Sequence, residues 1–169
     1  MGAGTWESHH AISDLMFRYA ECVDLANFDG LSELFAHGTM RSTSAEESQE
    51  GMTGETIGRF YAATNRVHDD GTLRTRHLAT NVRIDIDEES DSATARSYYV
   101  VFQATHELPF QPIVGGRYED RFERVGGEWR FADRVVLVDQ IGDMSEHLSF
   151  DLSKGNVRYD DVVSGRQAE

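Results

Sequence analysis

Residues 114–138 read VGGRYEDRFERVGGEWRFADRVVLV, and apolar residues alternate with polar ones on both sides of Gly126-Gly127. A period of two is typical of a strand with one covered and one solvated face, and two glycines between such runs predict a tight hairpin turn. Earlier runs of the same kind lie at Val82–Ile86 and Ala93–Glu107. The second half of the chain is therefore predicted to be an antiparallel meander.

The first half of the chain follows the helical period instead. Apolar residues recur every three or four positions in Ser8–Leu25, which predicts a helix of about five turns capped by its first residue. A second helix is predicted at Phe28–Phe35, a strand at Thr39–Thr43, and a third helix from its cap Thr53 to Val67. Helices followed by strands indicate an α+β fold. We expect a cone-shaped domain in which three N-terminal helices pack on a curved, mostly antiparallel sheet that encloses a pocket.

Length and composition indicate one domain over residues 1–169, with a core at about 8–148 and a C-terminal tail at 149–169. Thirty acidic and 16 basic residues give a net charge of −14, which disfavours nucleic acid and membrane surfaces as partners. No run approaches the ~20 apolar residues that span a bilayer, and the first residues lack the pattern of a secretion signal. With Cys22 as its one cysteine, the protein is expected to be cytoplasmic.

An apolar face of the sheet and an apolar run in the tail are both predicted to make packing contacts. Tyr98, Val100 and Phe102 alternate along one strand and would otherwise face water, which favours a homo-oligomer. The tail has residues that are candidates to cover the pocket or a neighbouring subunit: Met144, Leu148, Phe150 and Leu152. The last residues, 164–169, are predicted to be disordered.

Tyr19 and Asp24 lie near the end of the first predicted helix and are candidates to line the pocket. Asp24 stands between two apolar residues, and a carboxylate buried there needs a partner to remain ionised. The alternative is a helix-end carboxylate in solvent.

His77 and Arg134 are the other candidates for chemistry. A histidine at the mouth of a strand has a pKa suited to a general base, and a hydrogen-bonded carboxylate fixes its tautomer. Arg134 is placed to stabilise an enolate or a departing anion. The alternatives are a polar rim residue for His77 and a surface ion pair for Arg134.

The available pocket walls are aromatic or apolar, which predicts a small, largely apolar cyclic or aromatic ligand: Phe28, Phe35, Met40, Phe60 and Tyr61. The glycine pairs lack the strand-turn-helix context of a phosphate-binding loop. Neighbouring His9 and His10 point to different faces of a helix, so no metal site is expected. No cofactor is predicted.

Several motifs together resemble the SnoaL-like branch of the nuclear transport factor 2 superfamily. The resemblance covers about Ala11–His147 and consists of Tyr19-x4-Asp24, His77-x2-Thr80-Asn81, Gly116-Arg-Tyr118-x-Asp120-x-Phe122 and Gly127-x-Trp129-x-Phe131. Within this branch the chain is most similar to the group of scytalone dehydratase, bile-acid 7α-dehydratase and hexachlorocyclohexane dehydrochlorinase.

The resemblance implies a cofactor-free elimination in which Asp24 orients His77 and His77 removes a proton. Tyr19 matches the tyrosine of the bile-acid enzyme, and Arg134 matches the last-strand arginine of the dehydrochlorinase. Asn81 and Tyr118 join the pocket candidates. The resemblance also favours a homotrimer, with a dimer as the alternative.

Two departures from the group leave the reaction open. The bile-acid enzyme has a further carboxylate on its second long strand, where this chain has no acid within Tyr98–Gln103, and the second histidine of scytalone dehydratase has no obvious counterpart. The preferred interpretation is a dehydratase-like lyase. The alternatives are an isomerase, a polyketide cyclase or a non-catalytic ligand-binding module.

Overall fold

The computed structural model describes residues 4–42 and 51–150 of the chain. Three helices and six strands follow one another as α1 (Trp6–Asp24), α2 (Phe28–Leu34), β1 (Thr39–Ser42), β2 (Met52–Thr53), α3 (Gly54–Thr64), β3 (Thr75–Asp87), β4 (Ser92–Gln103), β5 (Gln111–Val125) and β6 (Glu128–Ile141). The predicted α+β class is confirmed. The predictions for Leu152 and for residues 164–169 concern parts outside the described residues.

The six strands form one open sheet in the order β2-β1-β6-β5-β4-β3. All neighbours are antiparallel except β1 and β6, which run parallel. The predicted hairpin between β5 and β6 is confirmed, because Gly126 and Gly127 have φ values of 62° and 88°, as a two-residue turn of this kind requires. Register shifts in three strand pairs mark bulges, which bend a sheet around its concave face.

The boundaries of two helices differ from the prediction. α1 begins at Trp6, and the Thr5 hydroxyl accepts a hydrogen bond of 3.1 Å from the amide of Ser8. The prediction that Ser8 caps this helix is therefore wrong. α3 follows Thr53 as expected but ends at Thr64, three residues before the predicted end.

The core lies between the concave face of the sheet and the apolar stripe of α1. In β4 every second residue is buried, from Ala93 to Gln103, as a strand with one covered face requires. α1 contributes Ile12, Met16 and Val23, each at most 2% exposed. This packing holds the last turn of α1 against the first residues of β3. Within the described residues, no helix has the length and apolarity needed to cross a membrane.

Candidate active site

Asp24 and His77 are in direct contact where α1 ends and β3 begins. The Nδ1 atom of His77 lies 2.6 Å from Oδ1 of Asp24, and the His77 amide donates to Oδ2 at 3.0 Å. The hydroxyl of Thr75 donates to Oδ1 at 2.6 Å. Three donors therefore converge on one carboxylate, whose side chain is 12% exposed.

Backbone geometry fixes this contact. Asp24 is the last residue of α1, and its carbonyl oxygen accepts a hydrogen bond of 3.1 Å from the amide of Leu73. Thr75 and His77 are two positions apart on β3, so their side chains lie on the same face of the strand. Hydrogen bonds to the backbone carbonyl and to the side chain of Asp24 therefore join the end of α1 to the start of β3.

The environment keeps Asp24 ionised. Burial raises the pKa of a carboxyl group, but the hydrogen bonds and charge of His77 and the hydroxyl of Thr75 outweigh it and lower the pKa of Asp24. An ionised Asp24 accepts from Nδ1–H, which leaves Nε2 of His77 with its lone pair. Among the described residues, Nε2 has no hydrogen-bond partner.

An open groove of about 330 Å³ lies beside this pair. Its walls combine apolar groups, two charged side chains and the pair itself: Phe17, Ala20, Glu21, Asp24, Leu25, Arg76, His77 and Ala79. Phe17 and Leu25 are 56% and 52% exposed, which makes this rim apolar and accessible. The groove gives a small molecule a route to His77.

Arg134 is fully buried and paired. Its Nε and Nη2 donate to the two carboxylate oxygens of Asp120 at 2.7 and 2.8 Å, and both side chains are at most 1% exposed. Its guanidinium lies over the rings of Tyr19, Tyr118 and Phe131, at 4.2, 4.3 and 4.8 Å from their centroids. Burial opposes the charge, yet Asp120 raises the pKa of Arg134. The Nη1 atom is buried without a partner.

Tyr19 belongs to the same cluster as Arg134. Its hydroxyl is 2.8 Å from the hydroxyl of Tyr61, which is 3.9 Å from the sulfur of Met40. Burial raises the pKa of Tyr19, Tyr61 and Tyr118. These phenols therefore stay protonated at neutral pH and act as hydrogen-bond donors.

The four candidates for chemistry thus form two clusters that share α1. Asp24 contacts His77, and Tyr19 contacts Arg134. Tyr19 and Asp24 are five positions apart, which corresponds to about 7.5 Å along a helix.

The predicted pocket residues differ in burial. Phe35 and Met40 are buried, and Phe35 stacks on Phe131 at 4.7 Å between ring centroids. Phe28 and Phe60 are half-buried. Asn81 is exposed, with a φ of 52° at a register shift of β3, so the prediction that it lines the pocket is corrected. The bulge turns its side chain away from the interior.

Four residues in or next to the two clusters were not among the predicted site residues: Thr75, Gln103, Asp120 and His147. The period of two on β3 signals Thr75, because His77 lies two positions later. His147 is 6% exposed and lies in the segment after β6, where no periodicity marks it. Among the described residues, no group of three or more His, Cys, Asp or Glu side chains is arranged to hold a metal ion.

The SnoaL-like domain model matches residues 4–135, which is most of the chain and includes every residue of the two clusters. The chain belongs to the SnoaL-like domain family. The resemblance to SnoaL-like proteins found in the sequence is thereby confirmed.

Solved structures show the same fold as this SnoaL-like protein. A variant of Rv3472 from Mycobacterium tuberculosis, a protein of unknown function, is 24% identical with a TM-score of 0.65, over 94% of this chain and 86% of that one. An NTF2-like protein with a cystatin-like fold from Novosphingobium aromaticivorans is 21% identical with a TM-score of 0.63, over 78% and 82%. A protein from the same bacterium, provisionally named a scytalone dehydratase, is 24% identical with a TM-score of 0.59, over 81% and 87%.

Proposed function

We propose that this SnoaL-like protein is a cofactor-independent lyase that eliminates water, or a similar small leaving group, from a small, largely apolar cyclic or aromatic molecule. The observation that carries the proposal is the 2.6 Å contact between Asp24 and Nδ1 of His77. A general base needs a fixed tautomer and a free lone pair, and this contact supplies the first and leaves the second at Nε2.

In the proposed reaction Nε2 of His77 takes a proton from the carbon next to a carbonyl or an activating ring. The electron pair of that C–H bond becomes the new double bond, and the bond from the neighbouring carbon to the leaving oxygen breaks. Asp24 stabilises the imidazolium that forms, as an ionised carboxylate at hydrogen-bond distance does. After the product departs, the imidazolium proton is returned to solvent, and the phenol that protonated the leaving oxygen takes a proton back from solvent.

The second cluster is proposed to stabilise the developing charge. Tyr19 and Tyr61 share one hydrogen bond between their hydroxyl groups, and the second phenol proton meets the sulfur of Met40, a weak acceptor that the leaving oxygen would replace. The unpartnered Nη1 of Arg134 is a further donor for an enolate oxygen.

A screen of cyclic β-hydroxy ketones tests this proposal by mass spectrometry. Loss of one water from the substrate is the expected result, whereas an unchanged mass with a new retention time indicates an isomerase or a cyclase. Asp24→Asn and His77→Gln are expected to lower kcat/KM by at least about 100-fold. Asp14→Asn and His37→Gln are matched controls, since both residues are exposed and neither lines the groove. Full turnover by His77→Gln would contradict the proposed mechanism.

A further inference from the structure

Five buried side-chain atoms of the described residues have no hydrogen-bond partner: Ser97 Oγ, Gln103 Oε1, Trp129 Nε1, Arg134 Nη1 and His147 Nδ1. Buried polar atoms are nearly always paired, so each such atom calls for an explanation. Two of them belong to Gln103, whose side chain donates to the carbonyl of Glu146, and to His147, the residue that follows Glu146. Gln103 is 1% exposed and His147 is 6% exposed.

Gln103 and His147 are joined through one peptide group. The Gln103 amide nitrogen donates to the carbonyl oxygen of Glu146 at 3.0 Å, and that carbonyl belongs to the peptide that carries the His147 amide. The same nitrogen donates to the carbonyl oxygen of Leu73, also at 3.0 Å. Because two carbonyl oxygens fix the nitrogen, the amide cannot be flipped, and Oε1 is the unpartnered atom.

Gln103 and the segment that carries His147 lie next to the Asp24–His77 pair. Gln103 lies opposite Thr75 in the β3–β4 register, and Thr75 donates to Asp24. Leu73, which accepts from Gln103, donates its own amide to the carbonyl of Asp24. Further hydrogen bonds hold the segment that carries His147, from the amide of Arg66 to the carbonyl of His147 and between His68 Nε2 and the carbonyl of Glu146. His77 and Asp24 both act electrostatically on His147.

We propose that Gln103 and His147 bind a neutral hydroxyl group of the substrate and orient it against the base. An amide oxygen only accepts hydrogen bonds, and a neutral imidazole with its proton on Nδ1 donates one there. A hydroxyl group donates to the first and accepts from the second at the same time. The inference rests on the proposed function and narrows its substrate class to ring compounds with a free hydroxyl in addition to the activating group.

The charges around the pair exclude an anionic group at this position. Burial lowers the pKa of His147 to about 3, so the ring is neutral at physiological pH and brings no positive charge. Asp24 is ionised nearby and Gln103 presents its oxygen, so a carboxylate or phosphate would meet two acceptors. A neutral hydroxyl meets one donor and one acceptor.

The test measures binding, which does not depend on turnover. Indan-1-ol and its methyl ether are titrated against the full chain by protein-observed NMR. The alcohol is expected to bind about tenfold more tightly to the wild type, as the loss of one buried hydrogen bond predicts. His147→Phe keeps a ring but no donor and should abolish the difference. His147→Asn has an amide nitrogen bonded to Cγ, as Nδ1 is, and should retain most of it, while His37→Phe should change nothing.

Equal binding of alcohol and ether to the wild type would overturn the proposal, as would failure of both to bind. A second measurement needs no variant: long-range ¹H–¹⁵N correlation of the wild type should show the His147 proton on Nδ1. A proton on Nε2 alone would also overturn the proposal. If the elimination screen fails but the binding difference is found, the hydroxyl site stands and the reaction does not.

Discussion

The buried pair of Arg134 and Asp120 gives the sharpest stability prediction. Arg134→Met removes two charge-assisted hydrogen bonds of 2.7 and 2.8 Å and leaves a carboxylate that is 0% exposed without a partner. An uncompensated buried charge costs about 3–5 kcal/mol. Removing both charges avoids that cost, so the double variant Arg134→Met, Asp120→Leu should be less destabilised than Arg134→Met alone.

Urea unfolding followed by circular dichroism at pH 7 and fixed protein concentration measures both free energies of unfolding. Arg117→Met is the control, because Arg117 pairs with Asp139 at the exposed surface and its loss should have a much smaller effect. A loss below about 1 kcal/mol in Arg134→Met, or a double variant that loses the sum of both singles, would refute the reasoning.

Three further predictions concern pH and assembly. Because the folded pKa of Asp24 is lowered, its stabilisation is present above the unfolded pKa and is lost as the pH falls through the folded pKa. Asp24→Asn should therefore be less stable than the wild type in urea unfolding at pH 7, and the difference should shrink as the pH is lowered below the unfolded pKa; a difference that does not change with pH would contradict this. The unfolded chain protonates His147 near pH 6.5 and the folded chain only near about 3. Between these values His147 should lower the free energy of unfolding by about 1.4 kcal/mol for each unit that the pH falls, and His147→Phe should flatten the slope by that amount; an unchanged slope would show that the folded protein protonates His147 freely. Leu78 and Tyr98 are 44% and 52% exposed on the outer face of the sheet, and we expect this face to form the contact of a homotrimer. In sedimentation velocity, Tyr98→Glu should dissociate the trimer, whereas the control Val125→Glu, at the exposed hairpin, should not. A monomeric wild type would contradict this.

The strands and the hairpin were predictable because each is marked by a repeated or distinctive sequence pattern. Period-two alternation marked the long strands, and the two glycines marked the hairpin of β5 and β6. Residue partners were harder to predict. Counted from the turn, Arg134 should face Glu119, because Val125 pairs with Glu128. A register shift after Phe122 moves its partner to Asp120. A one-residue bulge leaves no mark in the sequence, yet it decides which acid is buried with the arginine.

The candidate site was predictable only in part, because several of its contacts join residues that are far apart in the sequence. Asp24 and His77 could be paired through the motifs that resemble the family, whereas the residues alone left a solvent-exposed carboxylate equally plausible. Thr75 follows from the strand period. His147 could not be found, because its position depends on hydrogen bonds from Gln103 and Arg66 to backbone groups more than 40 residues away. Such contacts carry no local periodicity.

Solvent exchange at a carbon acid tests the central claim that His77 is a general base. In D₂O, the wild type should speed the incorporation of deuterium next to the carbonyl of 2-tetralone by at least about 100-fold over buffer, whatever the natural leaving group is. His77→Gln should reduce exchange to the buffer rate, and His37→Gln should leave it unchanged. Exchange by His77→Gln at the wild-type rate, or no acceleration by the wild type, would contradict the account.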